Sequence, residues 1–283
     1  MSRWPVGFGW SAGGLCFPYY VGVLDTLRRA GVADQAHMAG ASAGALIAGL
    51  HGADVPTETI VDGMHHLYAD LRAKGTYGRL HEPLRWVMGQ FLPDDAHERA
   101  SGRVHLAVTR VYPSVQSHII SKFHSKEDLL ETMLLSSHVP LFLQRGSLAR
   151  PYRRELGWDG YWVDGGFTNF IPLPPGARLT KRICCFPLAE ELAGSGRYGQ
   201  GLACTPDFHP EVAGGREDYT MDRMLRWAFQ PASEEEVDAL VAMGRADAEL
   251  MIRKCEGLSE LSVSGSLDEE DCEAVARKIE VPR

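Results

Sequence analysis

A single serine stands between two glycines where a short apolar segment gives way to an alanine-rich one. Residues 40–44 read Gly-Ala-Ser-Ala-Gly and match the pattern G-x-S-x-G. In this pattern a β-strand turns sharply into an α-helix, and Gly40 and Gly44 leave room at the crowded positions two before and two after the serine. The flanking residues agree, because 37–39 predict a strand and 43–51 predict a helix. The stretch therefore predicts one strand–turn–helix unit of an α/β fold.

Ser42, the serine of this pattern, has two interpretations. Amide groups and the dipole at a helix N-terminus stabilise a developing oxyanion, which makes Ser42 a candidate nucleophile. A small residue at a helix start can equally serve close packing alone. The stretch by itself leaves both interpretations open.

Strand and helix patterns alternate along the rest of the chain. Residues 6–10 predict a strand, and a glycine-containing turn leads into a helix that begins at Pro18 and ends at Gly31. Further strands are predicted at 103–113, 116–123, 160–164 and 182–188, and further helices at 56–74, 82–100, 125–137 and 233–255. Ser125 and Ser233 are the predicted N-caps of the last two helices. This alternation favours a mostly parallel sheet covered by helices on both faces, a three-layer α/β/α fold.

The length of 283 residues fits one large α/β domain or two smaller ones. We expect one domain over residues 1–257, which includes its C-terminal helix. Residues 258–283 are polar and charged, and they predict a peripheral helix or a loose tail.

The charge balance bears on possible partners. A formal net charge of -8 repels phosphate backbones, so no nucleic-acid partner is expected. One local cluster is basic, and it is interpreted either as a contact for anionic lipid or as a solvated loop. Its members are Arg145, Arg150, Arg153 and Arg154.

Six cysteines are scattered without a C-x-x-C pair, which indicates neither a zinc site nor a redox motif. We expect no metal ion and no cofactor. Residues 1–10 lack the apolar core of a secretory signal, and no run reaches about 18 uninterrupted apolar residues. The expected location is the reducing cytoplasm, with membrane contact only at a surface.

Asp164 follows an apolar strand and precedes Gly165 and Gly166. Burial at such a strand end raises the proton affinity of a carboxylate, which could then accept the proton of a serine directly. An ordinary Asp-Gly turn is the other interpretation.

A second glycine-containing loop, residues 11–17, stands immediately before the first helix. Its backbone amides could form an oxyanion hole or bind a phosphate. The loop has no G-K-[ST] ending and no G-x-G-x-x-G pattern, so a nucleotide site rests on glycine content alone.

The order of these three motifs resembles the patatin-like phospholipase domain, above all the subgroup that contains adipose triglyceride lipase and adiponutrin. The stretches that carry the likeness are GASAGAL from Gly40, FHSKEDLLETMLLSSHVPLF from Phe123 and YWVDGGFTNFIPL from Tyr161. The similarity covers roughly residues 4–190 and, more faintly, 223–250.

This resemblance implies an α/β/α fold and a Ser-Asp dyad that hydrolyses acyl esters of lipids without a metal. It assigns Ser42 as nucleophile and Asp164 as base. The remaining assigned positions are the oxyanion-hole residues Ala12, Gly13, Gly14 and Ala43, the turn glycines Gly40 and Gly44, and Gly165 and Gly166 after the base.

The resemblance also ranks possible substrates. Triacylglycerol comes first, at a membrane or lipid-droplet surface to which the protein binds peripherally. The alternatives are a phospholipase A or lysophospholipase, and a lipid-binding regulatory relative with weakened chemistry. The likeness names no activating protein for this chain.

Two residues of the loop depart from the subgroup pattern. Ala12 replaces a glycine, and we expect strain there if the position needs a positive φ. Phe17 replaces a small residue, and its ring is expected either to block the acyl chain or to point into the core.

Other candidate residues are given structural roles by default. His51 and His138 could complete a conventional triad, but a structural or surface role is the preferred interpretation. The serines Ser121, Ser136 and Ser137 lack a turn motif around them. An apolar lipid-facing surface or a core contact, with the core preferred, is assigned to Trp86, Met88, Phe91 and Leu92.

Overall fold

The computed structural model describes residues 6–34, 36–153, 158–177, 179–188, 203–206, 219–255 and 258. The helices are α1 Phe17–Arg29, α2 Ala43–Gly52, α3 Thr57–Lys74, α4 His81–Phe91, α5 Ala96–Ala100, α6 Lys126–Ser136, α7 Met221–Phe229 and α8 Glu234–Lys254. The strands are β1 Val6–Trp10, β2 His37–Gly40, β3 Val104–Tyr112, β4 Gln116–Ile120, β5 Tyr161–Asp164, β6 Leu179–Ile183 and β7 Ala203–Cys204.

The strands form one sheet in the order β4-β3-β2-β1-β6-β7, with β5 also paired to β3. The neighbouring pairs β3–β2, β2–β1, β1–β6 and β6–β7 are parallel, while β4 and β5 run antiparallel to β3. Helices lie around the sheet, so the predicted α/β class with a mostly parallel central sheet is confirmed.

Strands β2 and β5 pair with the same edge of β3, one after the other along that strand. The last residue of β2, Gly40, pairs with Leu106 of β3, and Asp164 of β5 pairs with Val108 two residues further on. Strand β4 occupies the other edge of β3 over the same residues. Because β5 is antiparallel, it points back toward the end of β2 and brings Asp164 to the turn that follows Gly40.

Two glycines allow helices α1 and α8 to pack closely. A Cβ at Gly22 would overlap the carbonyl oxygen of Val241, and one at Gly244 would overlap that of Tyr19. Burial of apolar side chains between these helices contributes about 25 cal/mol per Å² of area removed from water. The helix at the end of the described chain is therefore tied to the first one.

Both predicted N-caps are present. The Ser125 hydroxyl accepts the amide N–H of Asp128, and Ser233 forms a full capping box with Glu236. Three predicted elements differ from the structure by more than two residues, and the first is the strand predicted at 116–123, which ends at Ile120. The helix predicted at 82–100 is divided into α4 and α5 at Pro93, whose ring carries no N–H for a helix. The strand predicted at 182–188 is instead Leu179–Ile183.

Two of the four arginines in the basic cluster form ion pairs within the protein. Arg153 is buried and pairs with Asp128 at 2.7 Å, while Arg150 pairs with Glu131 at 3.0 Å. Arg154 and the predicted tail, except Leu258, lie outside the described residues. Among the helices that the structure describes, none has the length and apolarity that crossing a bilayer requires.

Candidate active site

Ser42 lies at the turn between β2 and α2 in a strained backbone conformation. Its φ is 55° and its ψ is -125°, a region that residues with a side chain rarely adopt. Such a conformation costs about 1–3 kcal/mol and persists only where the surroundings enforce it. The residue is 5% exposed. The turn therefore has the sharp strand-to-helix geometry that the sequence pattern predicts.

The two turn glycines are required by close approaches of the backbone. A Cβ at Gly40 would overlap the carbonyl oxygen of Gly44. A Cβ at Gly44 would overlap the carbonyl oxygen of Trp10 at the end of β1. Neither position can hold a larger residue without a shift of the backbone on which Ser42 stands.

The end of helix α6 anchors the turn from the other side. The Ser42 amide donates to both the carbonyl oxygen and the hydroxyl oxygen of Ser136, each at 3.1 Å. The Ser136 hydroxyl in turn donates to the carbonyl oxygen of Ala107 in β3 at 2.7 Å. Ser136 is thus a positioning residue that no motif in the sequence singled out.

The same end of α6 also holds Asp164. The Asp164 amide donates to the carbonyl oxygen of His138 at 2.9 Å. Its carboxylate oxygen Oδ1 accepts the Gly166 amide at 2.7 Å. Ser136 and His138, which are two residues apart, therefore hold the backbones of Ser42 and Asp164 close to each other.

Burial raises the pKa of Asp164 to about 7. The Ser42 hydroxyl and the Gly166 amide act in the opposite direction, because both stabilise the carboxylate. Oxygen Oδ2 makes no hydrogen bond of ordinary geometry with a described residue. A buried carboxyl that interacts with a serine hydroxyl and titrates near neutral pH can accept its proton.

The two glycines after Asp164 make the turn compact. A Cβ at Gly165 would overlap the carbonyl oxygen of Ala107, and one at Gly166 would lie 2.7 Å from the Cβ of Ala12. The turn therefore packs directly against β3 and against the loop of residues 11–17. Asp164 is buried at this junction and is not part of an exposed Asp-Gly turn.

In the loop of residues 11–17, the left-handed backbone conformation falls on Gly14, where it causes no steric strain. Gly14 has a φ of +54°, whereas Ala12 is not among the described residues with positive φ, so the expected strain at Ala12 does not arise. The Ala12 amide donates to the carbonyl oxygen of Phe170 at 2.9 Å and is already engaged. The amides of Gly13, Gly14 and Ala43 have no acceptor within the described part of the chain.

An open, mostly apolar cavity of about 430 Å³ lies over Ser42 and Asp164, and we call it the outer cavity. Gly13 and Gly14 line it on the loop side. Its apolar walls include Phe142, Phe167, Phe170, Phe186, Leu225 and Phe229. A second, more enclosed space of about 60 Å³ also reaches Ser42, and we call it the inner cavity. It extends among Leu46 and Leu50 of α2, Met64 and Leu67 of α3, and Val87 and Met88 of α4.

The two candidate triad histidines have other partners. His51 lies nine residues further along α2, about 13 Å from Ser42 at the rise of a helix. It accepts a hydrogen bond from Arg28, and burial lowers its pKa to about 3. The His138 ring lies 3.3 Å from the Ser147 hydroxyl, and burial lowers its pKa to about 4.

The four apolar residues considered for lipid contact do not share a surface. Trp86 is 64% exposed, while Met88 and Leu92 belong to the core and Phe91 packs partly buried against it. Phe17 is buried and lines the inner cavity, so its ring forms part of the wall behind Ser42.

Fold and site together define an α/β protein in which a serine at a strained strand–helix turn interacts with a buried aspartate beneath an apolar cavity. A family model described as patatin-like phospholipase matches residues 11–176, more than half of the chain. The chain belongs to the patatin-like phospholipase family, as its motifs predicted.

Curated relatives agree with this family. The chain is 30% identical to patatin-like phospholipase domain-containing protein 4 of Homo sapiens, over 61% of this chain and 69% of that protein. It is 32% identical to patatin-like phospholipase domain-containing protein 2 of Homo sapiens, over 67% of this chain and 37% of that protein. The 1-acylglycerol-3-phosphate O-acyltransferase Pnpla3 of Mus musculus is 30% identical over 60% of this chain and 41% of its own length. The chain thus matches well under half of the two longer relatives.

Proposed function

We propose that this chain hydrolyses acyl esters of neutral lipids, with Ser42 as nucleophile and Asp164 as general base. The observation that carries the proposal is the meeting of these two side chains beneath an apolar cavity. The raised pKa of Asp164 supports the role of the base, because proton transfer is most efficient when the pKa lies near the working pH.

In the first half of the reaction, Asp164 takes the proton of Ser42 as its Oγ forms a bond to the carbonyl carbon of the ester. The amides of Gly13, Gly14 and Ala43 stabilise the negative charge on the carbonyl oxygen. The ester C–O bond then breaks, and the departing alcohol receives the proton from Asp164. An acyl group remains bound to Ser42.

In the second half, Asp164 accepts a proton from water as the water oxygen attacks the acyl carbon. The acyl bond to Ser42 breaks, and Ser42 recovers its proton from Asp164. An alcohol in place of water would make the same enzyme an acyltransferase, and we propose water.

The charge of the outer cavity favours a neutral substrate. Apart from Asp164, no charged side chain lines this cavity among the residues that the structure describes. A phosphate headgroup is usually paired with arginine or lysine side chains, and the free amides of Gly13, Gly14 and Ala43 are already assigned to the oxyanion. We therefore propose triacylglycerol as the first substrate and a phospholipid or lysophospholipid as the alternative.

Exposed apolar side chains at the mouth of the outer cavity suit contact with a lipid surface. Phe167, Leu225 and Phe229 all line this cavity and are 61%, 44% and 52% exposed. Contiguous exposed apolar groups of this kind mark interaction surfaces. We propose that they contact a membrane or a lipid droplet, to which the protein binds peripherally.

Fatty-acid release from emulsified triacylglycerol and from phospholipid vesicles tests the proposed reaction. We expect wild type to act on both and fastest on triacylglycerol, whereas Ser42→Ala loses about 10⁴-fold or more because it has no nucleophile. Ser114→Ala changes an exposed serine and should retain full activity. If wild type releases no more than Ser42→Ala on either lipid or on a short activated ester, the regulatory lipid-binding alternative holds instead.

The mouth residues are tested by replacing Leu225 and Phe229 with serine. We expect several-fold slower release from emulsions and an unchanged rate on a monomeric short ester, because only adsorption is affected. Val115→Ser is the matched control, since Val115 is 68% exposed but lies at the turn between β3 and β4. An equal loss on both substrates would show that these residues do not act through the lipid surface.

A further inference from the structure

The inner cavity reaches toward the protein surface at a place away from the outer cavity. Most of the residues that line it are buried, as expected for a space inside the core. The lining residues that retain some exposure are Gly14, Val139, Phe142 and Phe91. The first three also line the outer cavity, whereas Phe91 does not. The inner cavity therefore reaches from Ser42 at one end to Phe91 near the surface at the other.

Phe91 closes this end by packing on a glycine. It is the last residue of α4, and a Cβ at Gly63 of α3 would overlap its ring. The absence of a side chain at Gly63 is thus what admits the ring between the two helices. Both residues line the inner cavity, so this ring and this glycine form its end wall.

The volume of the inner cavity sets a limit on what it can hold. About 60 Å³ accommodates about four to six groups of water size, at about 10–15 Å³ each. The walls are leucine, isoleucine, valine, methionine and aromatic side chains, which suit a hydrocarbon chain. An acyl chain bound to Ser42 would fill this space with about four to six carbons.

We propose that the inner cavity is the acyl-chain site and that Phe91 is its chain-length determinant. This inference rests on the proposed function, in which the acyl group is bound to Ser42. Short acyl chains fit behind Ser42 as the cavity stands. Longer chains, including the long acyl chains of the lipids proposed above, must displace the Phe91 ring and are hydrolysed more slowly. Removal of that ring opens the cavity at the surface between α3 and α4.

The first test compares hydrolysis of p-nitrophenyl esters of four to sixteen acyl carbons in mixed detergent micelles. We expect kcat/KM of wild type to be highest at four to six carbons. In Phe91→Ala the ratio of the twelve-carbon to the four-carbon ester should rise about tenfold or more, the scale on which an apolar pocket discriminates chain length. Phe91→Leu should shift the ratio in the same direction by less, and it retains an apolar side chain if the alanine variant fails to fold.

Trp86→Ala is the matched control, because Trp86 lies on the same helix and is exposed but does not line the inner cavity. Its chain-length profile should equal that of wild type. Binding of saturated fatty acids to Ser42→Ala and to Ser42→Ala/Phe91→Ala, measured by calorimetry, supplies a readout that needs no catalysis. Affinity should rise about fourfold per carbon up to about six carbons and continue to rise only where Phe91 is replaced.

The outcomes separate this inference from the proposed function. If esters are hydrolysed but neither the profile nor fatty-acid binding responds to Phe91→Ala, the chain-length role is wrong and the hydrolase stands. If no ester is hydrolysed but binding shows the length limit and its release in the double variant, the acyl site stands without the hydrolase. If neither hydrolysis nor length-dependent binding is seen, both are wrong.

Discussion

Ser42 and Asp164 reach the same site by different routes. Ser42 is held mainly by its own neighbours in sequence: strand β2, a turn with two obligatory glycines and helix α2. Asp164 is held by distant parts of the chain, through the pairing of β5 with β3, the carbonyl of His138 and the compact turn against Ala12. The proposed nucleophile lies on a local turn and can be recognised from a few residues, whereas the position of the proposed base depends on the whole sheet.

The two routes converge at the end of helix α6. Ser136 receives the amide of Ser42, and the carbonyl two residues later receives the amide of Asp164. Because both amides bind to the same short segment, this shared anchor helps to set the distance between the two side chains. Changes at the base, at the turn and at the anchor should therefore have effects of decreasing size.

Asp164→Asn tests the proposed role of Asp164 as base without changing the fold around it. An amide keeps the shape and can still accept the Gly166 N–H, but it does not take a proton. We expect kcat to fall about 10³-fold, within the range for general-base catalysis, with unchanged thermal unfolding at pH 6. Asp62→Asn, at an exposed position on α3, should leave kcat unchanged. A loss of less than tenfold in Asp164→Asn would assign the proton transfer to another group.

Gly44→Ala changes the turn that holds Ser42. The added Cβ overlaps the backbone of Trp10, so we expect the free energy of unfolding to fall by about 3 kcal/mol or more. Gly89→Ala is the matched control on α4, because its Cβ would make only an ordinary contact, 3.7 Å from Leu130. That variant should be stabilised by about 0.5–1 kcal/mol, since alanine is the better helix former. Equal unfolding midpoints for the two variants in urea would contradict the crowding at the turn.

Ser136→Ala weakens the shared anchor without touching either side chain of the dyad. The Ser42 amide keeps the carbonyl of residue 136 but loses the hydroxyl, and Ala107 loses its donor. We expect about 1 kcal/mol lower stability and about tenfold lower kcat/KM. Ser125→Ala removes the N-cap of α6 at a similar cost in stability, and its kcat/KM should be unchanged. If both variants lose the same activity, the anchor acts only through general stability.

Sequence patterns predicted the α/β class, most element positions and the turn at Ser42, because each depends on local periodicity, glycines and helix caps. They also singled out Asp164, but not the antiparallel direction of β5 that brings it to Ser42. Pairing between β3 and β5 joins residues 49 to 56 positions apart, and no local pattern encodes it. The anchoring of Ser42 by Ser136 and the engagement of the Ala12 amide by Phe170 are contacts of the same long-range kind.

The most direct test is the pH dependence of Ser42 labelling by a short-chain fluorophosphonate, in wild type and in Asp164→Asn. Only the ionised carboxylate can accept the serine proton, so the labelling rate of wild type should rise with pH through a midpoint of about 7, the raised pKa of Asp164. The Asp164→Asn variant should label slowly and without that midpoint. An identical profile in both proteins, or no labelling of Ser42 in wild type at pH 8, would contradict the dyad.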